Sequence, residues 1–61
     1  GIKTVTKTYQ VIYSSGVTYL NDVARVSVEG TLAYFYDTNG VNIATFCLST
    51  IFGYKVFEKK N

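Results

Sequence analysis

Asp37-Thr38-Asn39-Gly40 is the strongest turn signal in the chain, and it divides the apolar run LAYFYDTNGVNIATFCL, residues 32–48, into two halves. Asp suits the first position of a type I turn, because its carboxylate accepts backbone N–H groups two residues on. Gly suits the left-handed position that follows, giving a three-residue hairpin loop with a bulge. A two-residue Asn-Gly turn is the competing geometry. The two differ in register. The first pairs Leu32 with Phe46, Tyr34 with Ala44, Phe35 with Ile43 and Ala33 with Thr45. The second pairs Tyr36 with Ile43, Phe35 with Ala44 and Ala33 with Phe46. A one-residue slip moves every side chain to the opposite face, yet in both registers each face carries at least one ring and several aliphatic groups. A hairpin with one wet face alternates apolar with polar residues. This one has an apolar face too many, so something must cover it.

The rest of the sequence holds no helix to do so. Val, Ile, Thr, Tyr and Phe dominate, Met, Trp and Pro are absent, and such usage favours strands. No window sustains the i, i+3, i+4, i+7 apolar stripe of an amphipathic helix. The first strand is read from about Lys3 to Tyr13, with Val5, Tyr9, Val11 and Tyr13 on one face and Thr4, Thr6, Thr8 and Gln10 on the other. Ser14-Ser15-Gly16 is a turn, Val17 to Leu20 a short strand, and Asn21-Asp22 a break, where Asp22 is also placed to cap a single helical turn. Val23 to Glu29 is the third strand, with Ala24, Val26 and Val28 on one face. Glu29-Gly30 ends it as a tight turn or a bulge. Thr31 to Tyr36 and Val41 to Leu48 form the hairpin. Ser49 to Gly53 reads as a loop or brief 3₁₀ turn with Gly53 as hinge, and Tyr54 to Glu58 as a final strand. The fold class is therefore mainly β: an antiparallel meander of about five short strands, as a curled sheet or small open barrel, with room for one short helical or 3₁₀ turn. Residues 1–61 make a single domain.

Length sharpens the question of the covering partner. At 61 residues the chain is near the lower limit for folding alone. Burying about 60% of the unfolded surface removes roughly 3,500 Å² of apolar area from water, contributing about 90 kcal/mol. Ordering the chain costs about 1.5 kcal/mol per residue, again roughly 90 kcal/mol. Disulfides cannot tip the balance, since Cys47 is the one cysteine. Zinc wants four N or S ligands, and the chain has no histidine. Self-association is the remaining source of stability. Its expected contact residues are those of the two-faced hairpin: Leu32, Tyr34, Phe35, Tyr36, Ile43 and Phe46. A symmetric pair is the commonest form such association takes.

The same inventory argues against catalysis. Without histidine the usual general base near neutral pH is missing. Asp22, Glu29 and Asp37 fall at turn positions and Glu58 in the polar tail, and Cys47 sits in an apolar strand with no basic neighbour in sequence, where a buried thiol is inert filler. No glycine-rich phosphate loop is present. No catalytic residue, metal ligand or cofactor is expected. A single-stranded nucleic-acid binder is the main alternative, with Tyr9, Tyr13 and Tyr19 stacking on bases near Lys3 and Lys7. Its electrostatic footprint is slight, because six basic residues face four acids for a net charge of +2. A subunit of a larger structural assembly is a further alternative. No apolar run approaches the roughly 18 residues of a membrane span and no charged-then-apolar leader is read. The lone cysteine fits a reducing compartment, and the expected location is cytoplasmic.

What composition favours is a protein that binds protein, because tyrosine on rigid strands offers large contact area at low entropy cost. In size, strand content and lack of catalytic groups, the chain resembles the small inhibitors that phages encode against bacterial defence systems. That likeness is one of class and carries over no site residues. It implies a host-cytoplasmic protein that occludes or sequesters a protein target.

Overall fold

The computed structural model describes residues 5–57. Over that span the chain is all β, as the residue usage requires: β1 (Lys7–Tyr13), β2 (Gly16–Val23), β3 (Arg25–Glu29), β4 (Leu32–Tyr36), β5 (Asn42–Cys47) and β6 (Gly53–Phe57). Every pairing is antiparallel. The strands form two sheets of three, in the orders β2-β1-β6 and β3-β4-β5, and no strand bridges them into a closed barrel. The small antiparallel β fold expected from the sequence is thus present, and the final strand, read from Tyr54, pairs with β1. None of the described residues is helical, and none forms a helix long and apolar enough to cross a membrane.

The two sheets pack face to face. Val11 and Val23 from the first meet Ala33 and Phe35 from the second, with Ile51 closing the cluster. Phe35 is fully buried at its centre. Tyr9 and Tyr54 of the first sheet both meet the Phe35 ring edge-on, with centroids 5.5 Å away. Phe46 meets it from β5 at 5.9 Å. Aromatic rings prefer such edge-to-face contacts, so Phe35 binds the two layers together.

Three tight turns join the hairpins. Tyr13 pairs with Gly16 across Ser14-Ser15, so Gly16 opens β2 rather than belonging to the turn. Glu29 pairs with Leu32 across Gly30-Thr31. Gly30 has φ +60, as the first central residue of a mirror-image hairpin turn needs. Glu29-Gly30 is therefore a hairpin turn and not a bulge. Between the sheets the chain crosses at Ala24, whose N–H bonds to the Tyr36 carbonyl at 2.8 Å. It crosses back through residues 48–52, where Leu48 N–H donates to Thr31 O and Phe52 N–H to Ile12 O.

Two bulges decide which side chains reach the core. In β2, Leu20 pairs with Tyr9 and Val23 with Lys7, so Asn21 and Asp22 together oppose Thr8. Asp22 has φ +60, a conformation that Asp tolerates better than most residues. Asn21-Asp22 therefore does not break the strand or start a helical turn. Strict alternation would have pointed Asp22 inward with Leu20. The extra residue sends the acid to solvent and turns Val23 into the core, so Val23 belongs to β2 and not to the third strand. In β5, Tyr36 pairs with Asn42 and Phe35 with Ala44, leaving Ile43 as the extra residue.

Three further positions differ from the sequence expectation. Val5 lies ahead of β1 and is 73% exposed. Val28 is exposed at the turn end of β3, while Val26 packs on the core. Gly53 is the first residue of β6 rather than a hinge. Lys3, Thr4 and Glu58 lie outside the described residues.

Candidate binding faces of the two sheets

The Asp37–Gly40 loop has the three-residue geometry. Gly40 N–H donates to Asp37 O at 3.1 Å and Asp37 N–H to Val41 O at 3.0 Å. The Asp37 carboxylate accepts from the N–H groups of Asn39 and Val41 at 2.8 and 2.9 Å, and Gly40 has φ +79. Yet from Phe35 onward the ladder has the register of the two-residue turn: Phe35 with Ala44, Ala33 with Phe46. The bulge at Ile43 reconciles the two. Asn42 stabilises it, its amide donating to the carbonyls of Phe35 and Ala44 at 3.2 and 3.0 Å while its oxygen accepts from the Thr45 hydroxyl at 3.0 Å.

This register sorts the hairpin residues. Ala33, Phe35, Ala44 and Phe46 face the first sheet and belong to the core or pack on it. Leu32, Tyr34 and Tyr36 face the other way and are half-buried with no layer of the described chain over them. Ile43, in the bulge, is 42% exposed. The six expected contact residues are thus divided. Phe35 and Phe46 serve the packing between sheets, while Leu32, Tyr34, Tyr36 and Ile43 remain for an outside partner. Tyr34 is flanked across the strands by Ser27 and Thr45, which are too small to cover its ring. The Tyr34 and Tyr36 rings stack at 6.4 Å with 27° between planes. Arg25 lies 4.1 Å above the Tyr36 ring, a cation–π contact that holds the rim of the stripe in place. The surplus apolar face is thus carried mainly by β4, with Ile43 exposed on β5.

Cys47 changes character through the same shift. With Ala44 and Phe46 inward, Cys47 points outward opposite Leu32 and is half-exposed, not buried filler. The Ser49 hydroxyl, 3.0 Å from its sulfur, and the Ser49 backbone hold the thiol below its ordinary pKa. No group of three or more His, Cys, Asp or Glu side chains converges among the described residues.

The nucleic-acid candidates do not converge either. Tyr9 and Tyr13 face inward, on Phe35 and Phe46 respectively. Tyr19 faces outward from β2 and is 47% exposed. Lys7 is exposed at the start of β1, and Lys3 lies outside the described residues. Three rings of one stacking platform would have to share a face, and these do not.

Sequence reasoning overlooked the outer face of the first sheet. There Tyr19 and Phe57, on opposite edge strands, reach across β1 and meet edge-on at 5.0 Å. With Thr8 and Asn21 they line an open groove of about 360 Å³. The Thr8 hydroxyl bonds Asn21 Oδ1 at 3.1 Å, and Val17 lies exposed beside Tyr19 on the same strand face. The signal was available: Val17, Tyr19 and Phe57 occupy the outward parity of their strands once Tyr9, Val11 and Tyr54 are placed inside. Compared with known protein families, curated proteins and solved structures, the chain matches none.

Proposed function

We propose that this protein is a non-enzymatic binding module that self-associates and acts by occluding or sequestering a protein partner, in the manner of small phage-encoded inhibitors of bacterial defence. The observation that carries this reading is the stripe Leu32-Tyr34-Tyr36 on the central strand of the β3-β4-β5 sheet. It is aromatic, backed by a rigid ladder, bordered by Arg25, Ser27 and Thr45, and free of any covering layer among the described residues. Tyrosine with a neighbouring arginine is the composition that recurs at the centres of protein interfaces. The protein target meets this face. The protein acts in the cytoplasm, which for a phage product is that of the host.

Tyr34→Glu leaves the core untouched, because the side chain faces outward. Tagged wild-type protein is expected to retain a bacterial protein from lysate and to raise phage plating on defended hosts, and folded Tyr34→Glu is expected to lose both. A wild-type protein without either effect, or a variant that keeps both, contradicts the proposal.

A further inference from the structure

β2 is the longest of the described strands and forms an edge of its sheet. The direction of its free backbone groups follows from β1. The Ile12 carbonyl accepts the Phe52 N–H on the β6 side. Backbone groups alternate in direction along a strand, so those of Val11 and Tyr13 face β2, where their partners are Thr18 and Gly16. Val17 and Tyr19 therefore turn their N–H and C=O groups to the open edge, where no described strand accepts them.

Sheet edges are ordinarily protected by charge, proline or a bulge. The other three edges here have such devices: Lys55 at the centre of β6, Arg25 and Glu29 at the ends of β3, and the Ile43 bulge in β5. From Gly16 to Leu20, β2 has none, and its register with β1 is regular throughout. We propose that a second copy of this chain pairs antiparallel along this edge, about a two-fold axis at Thr18. This rests on the self-association proposed above and names its route.

The edge is self-complementary about that axis. Val17 of each copy falls opposite Tyr19 of the other, in the positions whose backbone groups are free, so each such pair exchanges two hydrogen bonds. The side chains brought together are a β-branched residue and an aromatic one, a favourable cross-strand combination. Both are exposed in the single chain, at 45% and 47%. Tyr19 is already held by Phe57. The first charged residue, Asp22, lies beyond the paired stretch, at the bulge that ends it. The product is a continuous six-stranded sheet, and it leaves the Leu32-Tyr34-Tyr36 stripe free for the protein target.

Thr18 then faces its own counterpart in a non-hydrogen-bonded pair, with Cα atoms about 4.5 Å apart, inside the disulfide range of ~4.4–6.8 Å. In a Cys47→Ser background, Thr18→Cys is expected to oxidise to a covalent dimer, while Tyr34→Cys in the same background stays uncross-linked. Val17→Lys combined with Tyr19→Lys sets like charges opposite each other and is expected to return the protein to its single-chain mass with its β circular dichroism intact. A wild-type dimer that shows no Thr18→Cys cross-link overturns the β2 route and leaves self-association standing. A wild-type protein that is monomeric at every concentration overturns both.

Discussion

At the scale of single residues, Phe35 is the hinge point of the packing between the two sheets. Among the described residues it is the largest fully buried side chain, and it touches rings from three other strands. Truncating a buried Phe costs about 3–5 kcal/mol, a large part of what so small a domain has in reserve. Phe35→Ala is expected to lower the urea midpoint steeply or to leave the chain unfolded, and Phe35→Asp to abolish folding. Tyr34→Ala, one position away on the open face, is expected to change stability little. Cys47 gives a second test at this scale. Its thiol is depressed by the Ser49 hydrogen bonds, so near its titration the folded state binds fewer protons than the unfolded state. Stability then rises as pH rises through the folded pKa, is fully present above the unfolded value, and is lost again as pH falls. Alkylation of native Cys47 is expected without denaturant, with a midpoint below that of the unfolded chain. Ser49→Ala is expected to move the midpoint up. A thiol that reacts only on unfolding contradicts the outward placement.

At the scale of elements, the hairpins were legible and the bulges were not. Asp37-Thr38-Asn39-Gly40 specifies its loop through atoms a reader of sequence can name, a carboxylate and a glycine. The alternation of Tyr9, Val11 and Tyr13 likewise predicts the inward face of β1. The bulges at Asn21-Asp22 and Ile43 exist because a distant layer rewards Val23, Ala44 and Phe46 for pointing inward, and no local residue type announces that. A period-two reading therefore runs one residue out of step past each bulge. This is why it divides β2 at Asn21-Asp22, makes Cys47 a core thiol and leaves the hairpin register open. The candidate site was legible to the same extent: the surplus on β4 was visible, but Phe35 and Phe46 could be assigned to the core only once the register was known. Two substitutions test the β5 geometry. Asn42→Ala removes two bonds to bulge carbonyls and one from Thr45, for an expected loss of about 1–2 kcal/mol. Gly40→Ala meets no steric neighbour but forces a Cβ into the left-handed region, with an expected cost of about 1–2 kcal/mol. Both are read from chemical denaturation followed by circular dichroism.

At the scale of the whole molecule, two thin sheets share a small core with five buried residues among those described, and no described layer covers the outer face of either sheet. Exposed apolar surface includes Val17, Tyr19, Ile43, Phe52 and Phe57. That surface, the Gly16–Leu20 edge of β2 with neither charge nor bulge, and hydrophobic and entropic terms that nearly cancel for a chain this short all favour association with a second copy. Self-association is the claim on which both the proposed binding role and the β2 pairing depend. Its most direct test is the molar mass in solution, by size exclusion with light scattering over a range of concentrations. The expected mass is twice the 6.8 kDa chain or more, falling toward the single-chain value on dilution. A mass of 6.8 kDa at every concentration, with the β circular dichroism of a folded chain, would contradict it.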